Sequence, residues 1–179
     1  MKSFKQICFS WFFFTLFAFS ANAQRWYNLG AGVSISTGAV VYTITPDTAH
    51  KLLYVGGDFN IAGSDTARYI ASWNGSVLDS VGKGMNNKVQ VTIFYNDTLY
   101  AGGDFTRAGN TNVNFISRLA GIKWDSVRSG VNGPVYAMAV FNGKLYVGGG
   151  FTKAGGKNAR RIATWNGIKW DSVGNGFND

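Results

Sequence analysis

Apolar and polar residues alternate along this chain in short runs, each closed by glycine or asparagine, and no long stretch repeats at helical spacing. The clearest example lies near the C-terminus. Residues 135–141 (VYAMAVF), 144–149 (KLYVGG), 161–165 (RIATW) and 169–173 (KWDSV) read as four strands. Asn142-Gly143 joins the first pair and Asn166-Gly167 the second. Asn-Gly between alternating runs signals a tight hairpin, because a type I′ turn needs positive φ at both central residues. Four strands joined in sequence order predict an antiparallel meander.

The same unit returns. Leu53, Leu99 and Leu145 stand 46 residues apart, opening LYVGGDFNIAG, LYAGGDFTRAG and LYVGGGFTKAG. Residues 70–75, 116–121 and 162–167 keep that spacing, as do LDSV at 78–81, WDSV at 124–127 and WDSV at 170–173. A small sheet has two faces to cover and needs stacked siblings to do so. Four strands in a period of about 40–50 residues is the pattern of a β-propeller blade. Helical repeats of similar period fail, because no ten-residue window free of glycine and turn signals shows 3.6 periodicity. The predicted fold is therefore all-β: a β-propeller of four-stranded antiparallel blades at about 39–82, 88–128 and 134–174. Residues 45–51 (TPDTAHK) insert into the first hairpin. Residues 25–33 (RWYNLGAGV) match a fourth strand with its exit loop, the outer strand of another blade. Known propellers hold about four to eight blades. The preferred account is thus the N-terminal part of a longer repeat protein or a truncated product, a partial propeller. Self-association through open edge blades into a composite ring is the second account.

Composition agrees with sheet. There are 24 Gly, 14 Phe, 8 Tyr and 6 Trp, and all nine acidic residues are Asp, so the helix-favouring Glu is missing. The first residues differ in kind. Lys2 and Lys5 precede an apolar run at 7–19, followed by Ala21-Asn22-Ala23, the pattern of a secretory signal peptide at 1–23 with cleavage after Ala23. The mature domain is then 24–179, expected to be secreted, extracellular or at the cell surface, without an integral membrane span. The one cysteine, Cys8, leaves with the leader, which excludes disulfides and thiolate metal sites from the mature chain. Loss of Lys2 and Lys5 lowers the formal charge from +8 to +6, a basic excess scattered in ones and twos. It allows attraction to anionic glycans or surfaces, although ordinary solvated charge is the plainer reading, and no nucleic-acid partner is expected.

LYVGGDF, IASWNG or IATWNG, and WDSVG with its small-residue loop resemble bacterial secreted repeat proteins of the kelch and galactose-oxidase propeller superfamily, and repeats of fungal cell-surface cortical markers. The resemblance covers about 25–179. The Gly-Gly doublet and the Trp of the third strand are kelch-like, whereas the Tyr that kelch repeats place ahead of that Trp has no counterpart; Tyr69 occurs once and too close. The resemblance implies the fold and not the oxidase activity, since that copper site needs several His and a Cys-linked Tyr. No cofactor and no metal site are expected.

The residues themselves point away from catalysis. His50, the single histidine, lies in the insertion that the other modules lack and reads as an exposed loop residue. Paired carboxylates could serve glycoside hydrolysis, but Asp58 and Asp104 give way to Gly150 in the third module, and Asp79, Asp125 and Asp171 recur as outward polar residues of a fourth strand. Active sites are built once; structural roles recur. The GGDF strings lack the Glu of the diguanylate cyclase signature. TWNGIKW resembles a sialidase Asp-box turn but is one residue short, with Asn for Asp. No catalytic residue is assigned.

Loops offer more. Both short hairpins of a blade close on one side, so the longer loops between strands two and three open on the other. There Arg68, Arg107, Lys153, Lys157, Arg160 and Arg161 would collect on one rim, and loops on a rigid frame are where binding usually resides. The expected function is a non-enzymatic propeller scaffold for protein or glycan binding. The alternative is a propeller fragment of an extracellular carbohydrate-active enzyme whose catalytic residues lie outside this chain.

Overall fold

The computed structural model describes residues 32–34 and 38–177. The signal-peptide assignment at 1–23 and residues 25–31 of the expected outer strand lie outside the described residues. A short strand β1 (Val33–Ser34) precedes the first blade, formed by β2 (Val40–Asp47), β3 (Leu52–Asp58), β6 (Ile70–Trp73) and β7 (Leu78–Ser80). Between its second and third strands runs a two-stranded ribbon, β4 (Ile61–Ala62) and β5 (Asp65–Thr66). The second blade holds β8 (Val89–Tyr95), β9 (Thr98–Gly103), β12 (Ile116–Ala120) and β13 (Lys123–Ser126), with ribbon β10 (Arg107–Ala108) and β11 (Thr111–Asn112). The third holds β14 (Val135–Phe141), β15 (Lys144–Gly149), β18 (Ile162–Trp165) and β19 (Trp170–Ser172), with ribbon β16 (Lys153–Ala154) and β17 (Lys157–Asn158). Each blade is a four-stranded antiparallel meander in chain order. No helix occurs among the described residues.

The turns follow their residues. Asn142 and Gly143 have φ of 47° and 70°, and Asn96 and Asp97 have 48° and 55°, so the first hairpins of the third and second blades use the I′ geometry. The insertion at 45–51 lengthens β2 to Asp47 and leaves a four-residue turn. The second hairpins do not all match the two-residue expectation. Trp165 pairs Trp170, leaving a four-residue loop in which the Asn166 carboxamide accepts from the Ile168 and Lys169 amides. Asn74 does the same in the first blade. Where Ala120 replaces this Asn, the side-chain bracket is gone and the hairpin zips one pair further, to Ala120–Lys123 around Gly121.

The Gly-Gly doublet has two separate jobs. The second glycine (Gly57, Gly103, Gly149) faces a β-bulge in the first strand, where a Cβ would collide with the carbonyl oxygen of Val40, Lys88 or Pro134. The first glycine receives the next blade: a Cβ on Gly56 would stand 2.7 Å from Val89 Cγ1, and one on Gly102 would stand 2.5 Å from Val135 Cγ1.

The blades approach one another through their first strands, β2 beside β8 and β8 beside β14, while fourth strands are not close neighbours. They therefore radiate from a common centre. Apolar clusters fill the wedges between them: Tyr54 and Ile70 of the first blade pack with Leu99 and Ala101 of the second, and Tyr100 and Ile116 with Leu145 and Val147 of the third. Phe59, Phe105 and Phe151 are wholly buried, as their recurrence after each doublet suggests. At the innermost point of the first wedge, Thr45 Oγ1 donates to Thr92 O at 2.9 Å and lies 2.7 Å from Thr92 Oγ1, with Thr43 Oγ1 3.1 Å from the same hydroxyl.

Candidate functional site

The ribbons between strands two and three form a second tier along one rim of the blades. Each is tied to the exit loop of the preceding blade. Met85 bridges Ala108 and Val131 bridges Ala154, as β1 pairs β4 ahead of the first blade. The amides of Gly63, Gly109 and Gly155 bond the carbonyls of Gly32, Gly84 and Gly130 at 2.7–2.8 Å. Asn86 then accepts from the amides of Thr106 and Arg107, both at 2.9 Å, and Asn132 from those of Thr152 and Lys153 at 2.8 and 2.7 Å. At the outer margin Trp124 and Trp170 donate their indole N–H to Val81 O and Val127 O, both at 3.0 Å, across the blade boundary. These brackets were invisible as single residues. Their signal was the recurrence of an apolar residue followed by Asn, Met85-Asn86 and Val131-Asn132, at the module period.

Tyr69, Phe115 and Arg161 occupy one position of the three modules with φ of 65°, 61° and 67°, a conformation that L side chains seldom adopt. Their amides bond the carbonyls of Phe59, Phe105 and Phe151, and their own carbonyls accept from Gly57, Gly103 and Gly149. Both backbone groups are held, so the rim is rigid where the chain returns to the third strand.

All six basic residues expected on this rim lie on its ribbons or their flanking loops. Arg107 and Lys153 are equivalent positions of two ribbons, and Arg68 and Arg160 are equivalent after theirs. Five are exposed, and Arg161 is half-buried. Two hollows flank the third ribbon. One of about 360 Å³ is lined by Phe115, Asn132, Lys153 and Gly156 among others. The other, about 320 Å³, holds Arg128, Lys157 and Lys169 beside Ile168 and Trp170. No carboxylate lines either one. Arg128 and Lys169 were not singled out from the sequence, because they belong to the exit loop and second hairpin rather than to the ribbon.

The carboxylates serve the frame. Asp58 pairs with Lys88 of the next blade at 2.9 Å, a hydrogen bond that raises the lysine pKa above its ordinary value. Asp104 accepts from Gln90 at 3.3 Å. Asp125 pairs with Arg118 at 2.9 Å, and Asp79 and Asp171 accept from the amides of Ser80 and Ser172. His50 sits on the lengthened hairpin, its Nδ1 2.9 Å from Asp47 Oδ2 and its side chain mostly exposed. Among the described residues no group of three His, Cys, Asp or Glu gathers as metal ligands would, and no helix is long and apolar enough to cross a membrane.

A family model described as "Domain of unknown function (DUF5122) beta-propeller" matches residues 142–163, the stretch from the Asn142-Gly143 turn to the start of the third strand of the third blade. The fold of the chain is that of a β-propeller, with three four-stranded blades among the described residues. No curated protein and no solved structure matches the chain. The propeller blades thus supply a rigid frame, and the loops of one rim supply its cationic hollows.

Proposed function

We propose that this propeller is a secreted or cell-surface, non-enzymatic binding scaffold of the kelch and galactose-oxidase-like kind, taking an acidic glycan or an acidic protein segment on its ribbon rim. The observation that carries the reading is the pair of hollows beside the β16–β17 ribbon, where Lys153, Lys157, Arg128 and Lys169 meet no lining carboxylate. The ribbon is pinned from below by Asn132, so binding needs little ordering of the backbone. Loops fixed on a rigid frame are the usual place of recognition in such folds. The leader-like sequence at 1–23 supports export.

Binding to a sulfated or uronic-acid polysaccharide, measured by calorimetry at two salt concentrations, tests the reading. The double variant Lys153→Glu/Lys157→Glu should lose about tenfold or more in affinity, about 1.4 kcal/mol, and the wild type should weaken as salt rises. Affinity indifferent to both changes rejects the rim as the site. Hydrolysis of the same polysaccharide would instead favour the enzyme-fragment reading.

A further inference from the structure

The smaller of the hollows beside the third ribbon has a twin at the preceding blade boundary. The twin, of about 440 Å³, lies between the exit loop of the first blade, the β10–β11 ribbon and the second hairpin of the second blade, with Ile122, Lys123 and Trp124 on one wall. The hollow of about 320 Å³ carries Ile168, Lys169 and Trp170 in the same places, each 46 residues on. Gly109 and Gly155 correspond on the ribbon side. Both volumes are those of small-ligand sites. No carboxylate lines either hollow.

The frame does not account for what the two hollows share. Trp124 and Trp170 are held by their latches and almost wholly buried, but Ile122 is 84 % exposed and Ile168 is 68 % exposed at the hairpin tips. The tips differ in pairing, one closing at Ala120–Lys123 and the other at Trp165–Trp170, yet both set an isoleucine and a lysine at the edge of a hollow. The first blade makes its hairpin with Ser76 and Val77 at these positions and Leu78 in place of the tryptophan. The exit loops repeat the theme with other residues. Lys83 enters the first hollow at φ 68° and Arg128 the second at φ 55°, a conformation that side chains seldom adopt. At the position of Arg128 the other two exit loops have Gly82 and Gly174, at φ 55° and 52°. An arginine kept where glycine is easier points to a use for its charge. Among the described residues no ion pair engages Lys83, Lys123, Arg128, Lys157 or Lys169.

We propose that these two hollows are equivalent subsites for one linear acidic polysaccharide, which lays a charged sugar unit in each and crosses from one blade boundary to the next. The arrangement rests on the reading of the rim as a glycan surface, and adds to it the number of subsites and the form of the ligand. Each hollow offers an aliphatic side chain for the apolar face of a sugar ring. Each also offers cations for a carboxylate or sulfate group: Lys83 and Lys123 in the first, Arg128, Lys157 and Lys169 in the second. A receptor that presents the same chemistry twice, one module apart, matches a ligand that repeats its own. A sugar polymer does so by construction, whereas an acidic protein segment does not. Two weak sites on one rigid frame hold a polymer far more tightly than either holds a fragment, because the second contact is intramolecular.

Calorimetry with polygalacturonate and a short oligogalacturonide tests this, with dextran sulfate and its fragments run in parallel to tell carboxylate from sulfate. The wild type should bind two short fragments per chain and gain at least about tenfold in affinity with the polymer of either kind. Lys123→Glu should leave one fragment site and remove most of that gain. Lys169→Glu should do the same from the other hollow, so that the test survives if one variant misfolds. The gain that remains in these variants measures the statistical advantage of a long chain, and only the excess in the wild type counts. A single fragment site in the wild type, or a length gain unchanged in both variants, overturns the paired subsites while leaving the rim as the glycan surface. Equal binding of poly-glutamate overturns the choice of a sugar polymer. No binding to any acidic polysaccharide rejects the rim reading itself, and the paired subsites with it.

Discussion

The second and third blades share their first turns, bulges, glycine doublet and aromatic pair, and differ most in their surroundings: a following blade covers the second, and among the described residues none covers the third. Tyr95 is buried and Phe141 exposed although their strands, registers and ring geometries correspond. Burial in this architecture is a property of the neighbour rather than of the module. A module folds its hydrogen bonds locally, β-strand by β-strand, and gains its dry interior only from the next one.

The largest expected contrast lies at that pair. Tyr95→Ala should cost about 3 kcal/mol in urea unfolding, as large-to-small changes in a packed core do. Phe141→Ala in dilute protein should stay within about 0.5 kcal/mol. Equal losses would mean that the third face is covered from within the chain. The glycines sharpen the comparison in both signs. Gly102→Ala forces Val135 aside and should destabilise by about 1–3 kcal/mol. Gly148→Ala, in open space and without positive φ, should stabilise by about 0.4–1 kcal/mol through the unfolded chain. Finding the same sign for both would show that the following blade does not decide the cost of a side chain at this position.

Trp170→Phe keeps an aromatic ring and deletes the indole donor to Val127 O, which retains its bond from the Gly130 amide, so the lost hydrogen bond should cost about 0.5–1.5 kcal/mol. Trp124→Phe should lose as much, since both boundaries carry the same latch; a harmless Trp124→Phe would show that the latch is decorative. The smallest effect concerns the first hairpin. Burial works to raise the Asp47 pKa, but the backbone and side-chain hydrogen bonds from His50 outweigh it, and the carboxyl lies below its ordinary value. Its contribution to stability is therefore full above the unfolded pKa near 4 and is lost as pH falls through the lower folded value. Asp47→Asn should flatten that acid limb slightly in thermal melts taken across it, and an unaltered limb would show that the bracket contributes nothing.

The blade was legible because its signals are local and repeated. Asn142-Gly143 fixes its turn through φ, and 46-residue spacing keeps Leu53, Leu99 and Leu145 in step. The doublet recurs visibly in the sequence, whereas the division of labour between its two glycines, one facing the bulge and one the next blade, depends on contacts between distant segments. The Asn166-Gly167 loop was misjudged because a side-chain bracket by Asn166 competes with the two-residue turn, and no dipeptide rule encodes that. The rim hollows were only half visible. Lys153 and Lys157 share a loop in sequence, whereas Arg128 and Lys169 reach the same place from other elements.

Hydrogen–deuterium exchange of the chain in dilute solution tests the dependence on neighbours most directly. Amides of β9 and β12, sandwiched between two blades, should exchange markedly more slowly than the equivalent amides of β15 and β18. Equal protection in the two blades would show that each module secures its own interior, and would contradict the account.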